Sequence, residues 1–148
     1  MLHARRCQTN GITADDEAFD LIPQSWQLRH RSSQLCATAS GTGAVGSSVT
    51  LQVCNFSDPL QMWQNDYSNI HHGQVPLTLM KANVTLSAKT DGTVATAPVF
   101  GKGRPKNRTE WASWTYMDST HQLRNTRNPT TVAKWGWGYP MCLSLCKD

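Results

Sequence analysis

The sequence predicts an all-β protein whose core repeats three times along the chain, and three observations lead there. No stretch of ten or more residues carries apolar positions at helical spacing, whereas short alternating runs bounded by Gly, Asn, Asp and Pro occur throughout. Two segments end in the same pattern of amide, spacer and tryptophan, Gln24-Ser25-Trp26 and Gln61-Met62-Trp63, 37 residues apart; the pair Trp111-Ala112-Ser113-Trp114 follows 48 residues after Trp63. At 148 residues, 39% hydrophobic and 16% charged, the chain has the size and composition of one globular domain rather than a disordered segment. In this reading each unit sends one large ring into a shared core. The indole N–H of Trp26 or Trp63, and the amide of Gln24 or Gln61, then satisfy turn carbonyls, which makes these residues structural.

Each element follows from local pattern. Val49, Leu51 and Val53 alternate with Thr50 and Gln52, which predicts a strand with one buried and one wetted face. Leu77 and Leu79 around Thr78, and Val84, Leu86 and Ala88 around Thr85 and Ser87, predict two more. Turn material separates them: Gly41-Thr42-Gly43-Ala44-Val45-Gly46, Asn55-Phe56-Ser57-Asp58-Pro59, Asp91-Gly92 and Gly101-Lys102-Gly103-Arg104-Pro105. His71-His72 is expected at a loop tip before the Leu77 strand. Many short strands in one domain close into a barrel or stack into a sandwich.

Charge and motifs narrow the functional classes. The net charge of +4 is uneven: residues 1–74 carry 4 basic against 6 acidic side chains, and residues 75–148 carry 10 against 4. The second half therefore offers an anion-attracting surface or simply a solvated basic face. No apolar run approaches the roughly 18 residues of a spanning helix, and the first residues contain no signal-peptide core, so neither a membrane span nor an export signal is expected here. No phosphate loop, zinc-protease motif or local nucleophile setting is present, which predicts a protein that is not an enzyme and needs no cofactor.

The segments Leu35-Cys36-Ala37, Val49-Thr50-Leu51-Gln52-Val53-Cys54 and Gln61-Met62-Trp63 resemble a ricin B-type lectin repeat, the unit of a β-trefoil. More closely, the chain resembles the N-terminal cysteine-rich domain of the mannose receptor family. Arg6-Cys7, Ala14-Asp15-Asp16 before Gln24-Ser25-Trp26, the run from Leu28 to Cys36, and the Trp111/Trp114 pair carry that likeness, over roughly residues 5–117. The resemblance implies a β-trefoil domain over residues 1–117, with residues 118–148 as a divergent tail. It also implies an extracellular, cell-surface or endosomal setting and a glycan or glycoprotein partner. Three departures stand out. Glu17 occupies the place of the second cysteine of the first lobe, Gln64 and Asn65 replace a cysteine after Trp63, and residues 118–148 match nothing in the family.

The resemblance also implies a Cys36–Cys54 disulfide, which closes a loop of about 18 residues and stabilises by roughly 3 kcal/mol. With five cysteines at least one is left over; Cys142 or Cys146 reaches Cys7 if the termini meet. No paired spacing of Cys with His71, His72 or His121 supports zinc, and no metal is expected. Sequons at Asn55-Phe56-Ser57, Asn83-Val84-Thr85 and Asn107-Arg108-Thr109 are candidate glycosylation sites, while Pro129 excludes Asn128.

The sharpest candidate site is Trp111. In the mannose receptor's cysteine-rich domain the first tryptophan of the matching pair stacks on a sulfated hexosamine and the second, here Trp114, lies in the core. Before Trp111, the cations Lys102, Arg104, Lys106 and Arg108 fall at alternate positions, so Lys106, Asn107, Arg108 and Thr109 form a candidate sulfate cradle. A solvated basic loop is the competing reading, and a glycan on Asn107 would crowd the same pocket. Ordinary galactose binding is not expected in the first two lobes, because Ala37-Thr38-Ala39-Ser40 lacks the acceptor carboxylate and Asp15 and Asp16 fall late. Trp135, Trp137 and Tyr139 form either an exposed aromatic platform or rings packed on the barrel. Three functions remain open: a lectin for sulfated glycans, an interaction or spacer module without sugar affinity, and a general polyanion binder. Nucleic acid is the least expected partner, and the oligomeric state is open.

Overall fold

A computed structural model describes residues 1–7, 15–89, 91–99, 110–125 and 141–145. They contain antiparallel strands and two single-turn 3-10 helices, with no α-helix among the described residues. The chain begins with β1 (Leu2–Arg6). It then forms a meander of β2 (Phe19–Ile22), β3 (Gln27–His30), β4 (Leu35–Ala39) and β5 (Val49–Val53), followed by β6 (Trp63–Gln64), β7 (Thr78–Leu79), β8 (Val84–Lys89) and β9 (Val94–Pro98). Next come β10 (Glu110–Trp111), which pairs with β8, and β11 (Thr115–Met117), β12 (Gln122–Asn125) and β13 (Met141–Leu145). β1 pairs with β13, so the first strand completes the last sheet, in the order β1-β13-β12-β11.

The three sheets repeat one plan. Five-residue antiparallel registers run from Leu35↔Val53 to Ala39↔Val49, from Val84↔Pro98 to Ala88↔Val94, and from Met141↔Arg6 to Leu145↔Leu2. The second residue of β4 is Cys36, bonded to Cys54 just after β5; the second residue of β13 is Cys142, bonded to Cys7 just after β1. The two disulfides therefore occupy the same place in two units. In the middle unit that place holds Thr85 and Val99.

Contacts between units repeat as well. The backbone N–H groups of Phe19, Trp63 and Trp114 donate to the carbonyls of His121, Trp26 and Val75 at 2.8, 2.7 and 2.8 Å. All three rings are fully buried. The Trp63 indole N–H donates to the Ala37 carbonyl at 3.0 Å and that of Trp114 to the Leu86 carbonyl at 2.9 Å, the third residues of β4 and β8. The Phe19 ring has no N–H and instead meets His30 edge-on at 5.2 Å. The repeating ring is thus Phe19, Trp63 and Trp114, spaced 44 and 51 residues apart. Around them Leu28, Leu77, Leu86, Leu123 and Leu143 complete the common core.

Trp26 does not fill the core place expected of it. It sits half-buried at the tip of the β2–β3 hairpin with φ 59°, where only its carbonyl serves the repeat, and Gln24 beside it is exposed. The reason is a shift of phase: the unit begins at Glu17-Ala18-Phe19, whose Glu and Phe do what Gln61 and Trp63 do. Gln122 Nε2 donates to Glu17 Oε2 at 3.0 Å as Gln27 Nε2 donates to Gln61 Oε1 at 3.0 Å.

The domain boundary at residue 117 also needs correction. It cuts the hairpin Met117↔Gln122, and residues beyond it supply β12, β13 and the partner of Cys7. At the opposite edge, Ala4 N donates to Gly92 O at 2.8 Å. Gly92 has φ 90°, and a Cβ there would lie 2.7 Å from the Ala4 carbonyl oxygen, so this turn requires glycine for β1 to approach it.

Candidate functional site

Strand β10 is where the predicted ligand residue enters the fold. Glu110 pairs with Lys89 and Trp111 with Ala88, so the backbone of Trp111 lies at the exit end of β8. The cradle residues Lys106, Asn107, Arg108 and Thr109, with Lys102 and Arg104, lie outside the described residues, as do Cys146, Trp135, Trp137 and Tyr139. Trp114 is buried three residues on.

The face of β8 next to this point is polar and under-satisfied. Thr85 and Ser87 are 2% and 3% exposed, and neither hydroxyl has a hydrogen-bond partner among the described residues. For Ser87 the repeat explains why. Thr38, the counterpart of Ser87 in the first unit, receives Gln61 Nε2 at 3.1 Å, whereas the counterpart of Gln61 in the middle unit is Ala112, which has no amide. A cavity of about 10 Å³ between Ser87, Lys89, Ala95, Thr96 and Ala97 has room for one water.

The expected structural residues Gln61 and Trp63 are both buried. Besides Gln27 and Thr38, the Gln61 amide donates to the Val53 carbonyl at 2.9 Å and accepts from Asn55 N at 2.9 Å, tying the turn after Cys54 to the core. Of the candidate glycosylation sites, Asn55 and Asn83 are exposed on turns, and Asn107 lies outside the described residues.

A second polar cluster, of which the sequence reading remarked only the histidines, fastens the middle unit to the last. His71 Nδ1 lies 2.9 and 3.1 Å from the two carboxylate oxygens of Asp118. The His71 ring meets Tyr67 and Tyr116 edge-on at 4.9 and 5.9 Å. The Tyr116 hydroxyl donates to the Phe19 carbonyl at 2.8 Å, so its 3.0 Å contact to His121 Nδ1 calls for an N–H on that nitrogen. Burial, aided by the charges of Asp20 and Asp118, raises the Tyr116 pKa well above the usual phenol value. His71 is therefore held in a seam, not set free at a loop tip; His72 is the exposed one. No sequence spacing announces this cluster, because its members come from positions 67, 71, 116, 118 and 121.

A groove of about 350 Å³ runs between Met1–Ala4 and Asp91–Val94, mostly apolar in lining. His3 lies beside it; burial first, then the charges of Arg5 and the amino terminus, lower its pKa below 6.5. Among the described residues no three His, Cys, Asp or Glu side chains converge as metal ligands, and no helix is long and apolar enough to cross a membrane. The two disulfides mark an oxidising, extracellular-type environment.

No family model, curated protein or solved structure matches this chain.

Proposed function

We propose that this chain is a β-trefoil of the ricin B type, related to the cysteine-rich domains of mannose-family receptors, and that it binds sulfated glycans without catalysing a reaction. The observation that supports this most is the threefold recurrence itself. Three units, two of four strands and a middle one of five, share one register, two carry a disulfide at the same place, and the last is completed by the first strand of the chain. A fold of that kind offers one surface per unit, and the middle unit is the one whose edge strand bears Trp111.

The chemistry proposed for that surface is simple. An indole face offers apolar area to the C–H face of a hexosamine, while Lys106 and Arg108, with Lys89 on the neighbouring strand, attract the sulfate. Asn107 and Thr109 supply side chains able to hydrogen-bond sugar hydroxyls. The partner in this reading is a sulfated glycan or glycoprotein outside the cell or at its surface.

The test is a sulfated-glycan array on the oxidised full chain at two salt concentrations, with Trp111→Ala alongside and its melting temperature checked. Retention of sulfated hexosamines that Trp111→Ala abolishes in a folded protein is the expected result. Binding that ignores Trp111 and disappears with salt would make the surface a general polyanion patch. A folded chain that retains no glycan would leave an interaction or spacer module.

A further inference from the structure

The sequon Asn55-Phe56-Ser57 follows directly on Cys54, in the turn that leads from β5 to the 3-10 helix Pro59–Gln61. Asp58 N donates to Asn55 O at 2.9 Å, which closes a reverse turn, and Ser57 N donates to Asn55 Oδ1 at 3.0 Å. The second bond folds the asparagine over the backbone of the hydroxyl residue and leaves Nδ2 without a partner among the described residues. All three sequon residues are exposed. Two apolar side chains flank the turn in an unusual state: Phe56 is 76% and Val53 78% exposed. The turn itself is fixed, because Asn55 N is held by the buried Gln61 side chain.

The sequon at Asn83 is presented in the opposite way. Asn83 occupies a left-handed turn position, φ 51°, but Val84 and Thr85 belong to β8, with Thr85 paired to both Thr78 and Ala97. Its hydroxyl is buried, so in the folded chain the asparagine and the hydroxyl of this sequon cannot be engaged together. N-linked acceptors belong to surface loops, and only Asn55 of these two meets that condition along the whole tripeptide.

We propose that Asn55 is a site at which the folded chain accepts an N-linked glycan, and that the first sugar covers Phe56 and Val53. The donor is a lipid pyrophosphate-linked oligosaccharide. Asn55 Nδ2 forms the bond to its anomeric carbon, the carbon–oxygen bond to phosphate breaks, the lipid pyrophosphate leaves, and the displaced amide proton passes to a base of the transferase. The oxidising setting marked by the disulfides is also the one in which disulfide-bonded, sequon-bearing proteins are made. A sugar's C–H face on an aromatic ring then shields apolar surface that the fold leaves wet.

The experiment uses the full chain, oxidised and folded before it meets a single-subunit oligosaccharyltransferase and a lipid-linked oligosaccharide. Sites are read by peptide mass after enzymatic deglycosylation in heavy-oxygen water, with the reduced, unfolded chain as reference. Asn55 should be labelled at least about ten-fold more than Asn83 in the folded chain. Equal labelling of the two, or none at Asn55, overturns the assignment. In the glycosylated protein the melting temperature should rise by about 2–4 °C, and Phe56→Ala should remove that rise. An equal rise in Phe56→Ala overturns the proposed contact with the ring.

Discussion

Trp63 shows how much one side chain contributes here. Its ring fills the core while its N–H serves Ala37, so Trp63→Phe should keep most of the burial and lose one buried hydrogen bond, about 1–2 kcal/mol. Trp63→Ala should cost about 3–5 kcal/mol. Urea unfolding of the two variants separates the terms, and a Trp63→Phe protein as stable as the parent would mean that the indole bond carries nothing. His3 gives a pH dependence with a definite sign. Its pKa is lowered in the folded chain, so the unfolded chain binds more protons just below pH 6.5. The His3 contribution is present above pH 6.5 and is lost as pH falls toward the folded value. Melting temperatures between pH 5 and 7.5 should therefore fall less steeply with acid in His3→Gln, and parallel curves would contradict this. Glu17 carries a different lesson. Read along the sequence it is a missing cysteine, yet in space it is the counterpart of Gln61, receiving Gln122 Nε2 and lying 3.6 Å from Arg5 Nε.

Among the elements, the two disulfides are equal in place and unequal in consequence. Cys36–Cys54 spans 18 residues and Cys7–Cys142 spans 135. Loop-closure entropy puts them at about 3 and about 5 kcal/mol respectively. Replacing Cys7 and Cys142 by serine should thus lower stability more than replacing Cys36 and Cys54, as read by denaturant midpoints under oxidising conditions; the reverse order would show that the long loop is already constrained in the unfolded chain. The strands Val49–Val53 and Val84–Lys89 were legible from alternation alone, as was the Asp91-Gly92 turn. Strand β13 was not, because Met141–Leu145 reads as a short, Cys-bearing apolar run with no alternating partner nearby in sequence; its partners are β12 and, 135 residues away, β1. β6, two residues long, is too short to leave a periodic signal, whereas β7, equally short, showed through the alternation Leu77-Thr78-Leu79.

For the whole molecule, the decisive contrast is between a chain of 117 residues and one of 148. A protein ending at residue 117 lacks β12, β13 and the partner of Cys7, leaving β1 without a neighbouring strand and β11 without its hairpin. It should show no cooperative unfolding transition by circular dichroism, whereas the full chain should; a cooperative transition in the shorter protein would show that two units suffice. The sequence by itself determined the all-β class and the structural roles of Gln61 and Trp63, because these rest on short spacings and residue chemistry that are local; the Cys36–Cys54 bond, the buried Trp114 and the residues before Trp111 on which a glycan site is proposed came from the resemblance of short segments to a known repeat. Only the tertiary structure decided that the repeat begins at Glu17-Ala18-Phe19 and not at Gln24-Ser25-Trp26, that Cys7 joins Cys142, and that Tyr116, His71 and Asp118 meet. Those pairings are between residues far apart in the chain, and they are chosen by which strand edges and core faces remain open once the local elements have formed.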